Sequence, residues 1–217
     1  MSWAWPPKEM LMKPDGPVFD ASWRAACSLE RVERSEVEQM IRRHYIGRWP
    51  GVCVLILALK MRGLSLGVIV FALPPRETAR RYGGVTWELA RLWLDDSVPP
   101  NAETYLIGRA VRYIRRNHKE VQILVSYADP SAGHAGTIYK AANWASDGRT
   151  DQERKTPRFD YADATTGKRY SRRGHVPDGT TIVRIPRVSK HRFVYRLRAW
   201  RSRPTQSRGR QGIPASD

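Results

Sequence analysis

Cysteine is scarce in this 217-residue chain, with only Cys27 and Cys53 present. They make no CxxC pair and no zinc set with the five histidines, so free thiols in a reducing compartment are expected. Long apolar runs are missing too. The longest, Val52 to Leu59, has eight residues, against the roughly 18 that cross a bilayer. No membrane span is therefore expected. The opening Met1-Ser2-Trp3-Ala4-Trp5-Pro6-Pro7 has no basic stretch followed by an apolar one, which argues against a secretory leader. There is no internal repeat. Acid is in deficit: 21 Asp+Glu stand against 38 Lys+Arg, a net charge of +17.

That imbalance favours an anionic partner, and nucleic acid above others. It is uneven along the chain. Residues 148–217 hold 18 Lys+Arg against 6 Asp+Glu, while the rest holds 20 against 15. Each phosphate neutralised by such residues releases counterions, which drives binding. The hydrophobic content of 41% supports a folded core. Residues 1–200 are expected to form one domain with a basic insertion at 151–178. Residues 201–217 read as a basic, disordered tail.

The pattern predicts an α/β chain with a mixed, mostly antiparallel sheet flanked by helices. Ser35-Glu36-Val37-Glu38 reads as a capping box opening a helix to about Arg43. Val52–Lys60 and Leu64–Leu73 form a hairpin turning at Met61-Arg62-Gly63. Arg76–Gly84 reads as a basic loop. Val85–Leu94 reads as a strand with Trp87, Leu89, Arg91 and Trp93 on one side and Thr86, Glu88, Ala90 and Leu92 on the other. A helix follows over Ala102–Asn117. Val121–Val125 is a short strand, extended by the loop Tyr127–Gly133 and a helix over Gly136–Asn143. Thr181–Ile185 and Arg192–Leu197 are candidate late strands.

Three clusters carry candidate chemistry. Asp129 and Tyr139 flank a polar loop at a strand end, where a carboxylate serves as general base and a phenol as proton donor. A turn-forming Asp-Pro explains Asp129 equally well. His44-Tyr45 ends the first helix, where a histidine also simply faces the helix C-terminus. These four are a candidate N/O metal set without tight spacing. Gly108 and Arg109 lie in Tyr105-Leu106-Ile107-Gly108-Arg109-Ala110, where a glycine at a helix start lets a phosphate approach; a helix-packing glycine is as good a reading.

Four segments resemble the phage Mom family of DNA-modification proteins: Trp87–Trp93, Asn101–Thr104, Ser126–Pro130 and Gly133–Trp144. Lys190–Tyr195 resembles the family's late strand. The resemblance runs from about His44 to Leu197. It implies a GNAT-like acetyltransferase fold and conversion of adenine in phage DNA to N6-carbamoylmethyladenine, which protects that DNA from host restriction. It further implies catalytic roles for His44, Tyr45, Asp129 and Tyr139, and donor binding by Arg91 and Thr104, with Gly108 and Arg109 beside them. The setting it implies is the host-cell cytoplasm.

The superfamily's acyl-CoA loop reads Gln/Arg-x-x-Gly-x-Gly/Ala. Here Tyr105-x-x-Gly108-x-Ala110 has lost the first position. The product is N–CH2–C(O)–NH2, whereas acetyl transfer gives N–C(O)–CH3. A glycyl group has the right atoms. The expected donor is therefore glycyl-tRNA, or acetyl-CoA assisted by a metal such as iron. Arg48, Trp49 and Tyr127 are expected to contact the base, and Lys168, Arg169, Arg172 and Arg173 the phosphates. DNA is the expected partner, with tRNA and a second copy of the chain as further ones. Two other readings stay open: an N-acyltransferase acting on a protein or small amine, and a non-catalytic nucleic-acid-binding protein.

Overall fold

The computed structural model describes residues 19, 22–152, 154–156, 158–170 and 175–197. Its main sheet has the order β1-β2-β3-β4-β5-β10-β6. The strands are β1 (Cys27–Arg31), β2 (Cys53–Met61), β3 (Leu64–Ala72), β4 (Thr86–Leu94), β5 (Ile123–Ala128), β6 (Ala145–Arg149) and β10 (His191–Arg196). Every neighbouring pair is antiparallel except β4 and β5. The expected mixed sheet is present, and β5 joins it in parallel after a helix.

Alternation along β2 sorts its side chains to two faces. Leu55, Leu57 and Leu59 meet α3 (Ala102–Asn117) through Leu106, Ile107, Ala110 and Ile114. Ile56 and Ala58 meet α1 (Arg34–Arg43) through Val37 and Ile41. Each such large side chain contributes roughly 1.5–3 kcal/mol by leaving water. Helices therefore cover both faces, and the central strands β4 and β5 lie between them.

Several expectations need correction. The helix α1 begins earlier than Ser35, with Glu33 N–H donating to Glu36 Oε1 at 2.9 Å. Arg76–Gly84 is not a loop: α2 spans Arg76–Tyr82 and ends at Gly83, whose φ is 64°. It buries no residue, so it left no apolar period to read. The helix expected over Gly136–Asn143 is shorter, α4 at Thr137–Ala141. Asp129 N-caps a short 3-10 turn over Pro130–Ala132.

The basic segment folds as its own three-stranded sheet, β8-β7-β9. It comprises β7 (Phe159–Asp163), β8 (Arg169–Tyr170) and β9 (Ile182–Pro186). The late strand expected at Thr181–Ile185 belongs here rather than to the main sheet. Arg172, Arg173 and the tail 201–217 lie outside the described residues.

Candidate active site

Two irregularities create a cleft. The first is a bulge in β4. Val70 pairs with Arg91 but the next residue, Phe71, pairs with Leu89, so Ala90 is extra. One extra residue reverses the alternation beyond it. Trp87 and Leu89 pack into the α3-side core, and after the bulge Leu92 and Leu94 do so. Trp93 joins the α1-side cluster. Arg91 thereby shares the α1 face with Glu88, contrary to the strict alternation expected from sequence.

The second is a splay. The parallel pairing of β4 and β5 covers only Thr86–Ile123, Trp87–Leu124 and Glu88–Val125. Past Glu88 the strands part. Ser126 Oγ lies 2.8 Å from the Leu89 carbonyl oxygen and 2.8 Å from Tyr139 Oη. A carbonyl only accepts, so the single serine proton goes to Leu89 and the Tyr139 hydroxyl donates to Ser126. Burial pushes the Tyr139 phenol up to about 12, against some relief from Ser126.

The end of α1 closes one side of the cleft. The chain reverses at Gly47, φ 64°, whose N–H donates to His44 O. Arg91 braces this loop, donating from Nε to Arg48 O at 2.9 Å and from Nη1 to its neighbour's carbonyl, Ala90 O, at 2.6 Å. The Ile46 N–H donates to His44 Nδ1 at 3.1 Å. Nδ1 is thus an acceptor, and the neutral ring carries its proton on Nε2. Burial, then the positive charge of Arg91, pushes His44 down to about 4. His44 is therefore a neutral donor at ordinary pH. Its ring stacks on Tyr45 at 4.5 Å, and Tyr45 lies 5.0 Å from His134. Tyr45 is 49% exposed, so its ring reaches solvent while His44 behind it stays buried.

Glu88 faces the cleft from the last paired position of β4. Its carboxyl makes no ion pair or hydrogen bond among the described residues. Burial raises its carboxyl to about 7, opposed by Arg91 and Lys190. Asp129 differs. Its Oδ1 accepts from Ser131 N–H at 3.0 Å and Ser131 Oγ at 2.6 Å, and its Oδ2 pairs with Lys190 Nζ at 2.9 Å. Burial alone would raise Asp129, but these partners hold it below the usual carboxylate range. Both of its oxygens are engaged in structure.

The structure thus gathers His44, Tyr45, Arg91, Asp129 and Tyr139 around the β4–β5 gap. Tyr127 sits beside them, with its hydroxyl 2.8 Å from Thr78 Oγ1 beneath α2. Trp49 is not free for a base: its Nε1 donates to Glu38 at 2.5 Å and Arg34 covers its ring at 5.3 Å. Arg48 contributes a backbone carbonyl to the site through Arg91. Thr104, Gly108 and Arg109 ride on α3, across the sheet from α1. Arg109 donates to Tyr105 Oη at 2.6 Å, within a cluster that includes Trp23 and Arg24. Lys168 and Arg169 lie in the small sheet. Sequence reasoning did not assign Glu88, His134 or Lys190 a role. A lone carboxylate inside a largely apolar central strand was the available signal for Glu88.

The fit of two implied groups can be tested on the residues. Gly108 lies two turns inside α3 rather than at its start, and a Cβ there would meet only Arg112 Nη1 at 3.7 Å. Nothing approaches closely enough to need a glycine. The preceding turn offers Pro99 and Pro100, which have no amide, and Asp95, which caps Ser97. This turn is poorly suited to a pyrophosphate, so no step is derived through coenzyme A. No group of three or more His, Cys, Asp or Glu among the described residues is placed to hold a metal, and no step is derived through iron.

Comparison with known proteins agrees with this architecture. Mutant forms of the spermidine/spermine N-acetyltransferase SpeG from Vibrio cholerae share the fold with a TM-score of 0.50 at 9% identity, over 80% of this chain and 95% of that one. A protein of the GNAT acetyltransferase family from Desulfovibrio desulfuricans gives 0.48 at 10% identity, over 80% and 100%. A 57-residue stretch is 40% identical to the methylcarbamoylase Mom of Escherichia phage Mu. That match spans 26% of this chain and 24% of the phage protein, about a quarter of each. Residues 26–210 match the Mom protein family, and with a GNAT-type fold beneath it the chain belongs to that family.

Proposed function

We propose that this protein transfers a two-carbon acyl unit to the N6 amine of adenine in DNA. The observation that carries the reading is that one guanidinium, Arg91, acts on both the unpartnered carboxyl of Glu88 and the neutral His44 ring while bracing the loop after α1. Membership of the Mom family, whose phage Mu relative is a methylcarbamoylase, supports DNA as the substrate class.

The N6 lone pair is delocalised into the purine, so the amine needs a base as it reacts. Glu88, poised near neutrality, suits that task better than Asp129, whose oxygens are occupied. The flipped adenine stacks on the exposed Tyr45 ring. Its nitrogen attacks the donor's carbonyl carbon, forming an N–C bond. The electron pair moves to the carbonyl oxygen, which His44 Nε2–H and the Arg91 guanidinium hold. Glu88 takes one N6 proton. Collapse breaks the bond to the leaving oxygen, which takes that proton.

An aminoacyl ester fits as donor. With glycyl-tRNA the leaving group is a ribose oxygen, and the product N–C(O)–CH2–NH2 is an isomer of the carbamoylmethyl form. The net charge of +17 suits two nucleic-acid substrates. The test is nucleoside mass spectrometry of DNA from cells expressing the protein; unmodified adenine overturns the reading. Incubation with DNA and labelled glycyl-tRNA tests the donor, and unlabelled product DNA rules it out.

A further inference from the structure

The small sheet is not used by the chemistry above. Its register sorts its residues to two faces, because directly paired residues point the same way. Tyr161 pairs with Tyr170 and with Arg184, and Phe159 pairs with Pro186. Phe159, Tyr161, Tyr170 and Arg184 therefore share one face. Arg184 stands 4.5 Å over the Phe159 ring, and Lys168 stands 5.6 Å over the Tyr170 ring. The opposite face carries the Asp160–Arg187 ion pair and the buried Ala162. The one carboxylate on the aromatic face, Asp163, accepts from Thr165 and Thr166 N–H at the turn.

We propose that this face is a stacking platform for single-stranded DNA, holding the nucleotides beside the adenine to be modified. The inference rests on the proposed action on DNA. Three partly exposed rings interleaved with cations match what unpaired bases and their phosphates bind. A duplex hides the base faces such rings need. Charge agrees, with ten Lys+Arg against five Asp+Glu over residues 151–190. Position agrees as well. Three residues lie between the end of β9 at Pro186 and Lys190, the partner of Asp129. That is at most about 14 Å of chain. Arg158 ties the sheet to the body, pairing with Asp151 at 2.9 Å and with Glu77 of α2 at 3.4 Å.

The test is fluorescence anisotropy of the full chain with labelled oligonucleotides of about a dozen nucleotides. One sequence is used as single-stranded DNA, duplex DNA and single-stranded RNA. Single-stranded DNA should bind most tightly. Tyr161→Ala and Tyr170→Ala should each weaken it about fivefold or more. Tyr161→Phe and Tyr170→Phe, which keep the ring, should bind as the parent does. Equal binding by the alanine variants, or tighter binding of the duplex or the RNA, overturns the proposal. Binding is read without turnover. Unmodified adenine in cells with ring-dependent binding intact would remove the proposed chemistry and leave the platform standing.

Discussion

Glu88 and Arg91 are three residues apart on one strand and face the same side of the sheet, because Ala90 is bulged between them. Their charges meet in the cleft: Arg91 lowers the Glu88 carboxyl that burial has raised to about 7.

Glu88→Gln should therefore lower kcat by 100-fold or more, the range for removal of a general base. In the parent, the rate should rise with pH through about 7 as Glu88 ionises. A flat profile between pH 6 and 8 would assign the proton to another group.

The same substitution should stabilise the fold at high pH. A carboxyl raised on folding favours its protonated form, so stability falls as pH rises from about 4.5 to about 7. Removing the charge should recover on the order of 1–3 kcal/mol at pH 8 and little at pH 4.5. Thermal melts of parent and variant at the two pH values measure it. Equal differences would show that Glu88 carries no buried charge.

His44→Ala should cost about 100-fold in kcat, as loss of an oxyanion donor does. His44→Gln should retain more activity, since its amide places an N–H near the Nε2 position. The ring also contributes to stability. Its pKa is lowered on folding, so that contribution is present above about 6.5 and lost as pH falls to about 4. Chemical denaturation of parent and His44→Gln across that window checks the sign.

Asp129 and Lys190 should behave as one unit. If Asp129 positions the loop through Lys190, then Asp129→Asn, Lys190→Met and the double variant should cost similar amounts in kcat/KM. A far larger loss for Asp129→Asn alone would make Asp129 the base.

Gly136→Ala should destabilise the fold by more than about 2 kcal/mol. Its φ is +76°, and a Cβ there would overlap the Phe193 ring. Phe193 stacks on Tyr139 at 5.2 Å, so activity should fall with stability in a urea melt and a turnover assay.

The β2–β3 hairpin and α3 were legible in the sequence because their apolar periods are long and unbroken. His44, Tyr45, Asp129 and Tyr139, which the fold brings near one another, were singled out by the resemblance. Glu88 was not. A bulge depends on pairing with β3, and nothing local at Ala90 announces it. The α2 helix buries no side chain, and β7 to β9 are short strands of mixed polarity. Gly108 looked like a phosphate loop because two positions of a motif can match while the helix starts about two turns earlier.

The Ser126 hydroxyl takes the Leu89 carbonyl that a continued ladder with β5 would have used. The fault in the sheet is thus sealed from within at Leu89, whose carbonyl is not left waiting for a ligand. Such an opening is preorganised. It stands ready before any substrate arrives, and a donor entering it loses little free energy to ordering the protein.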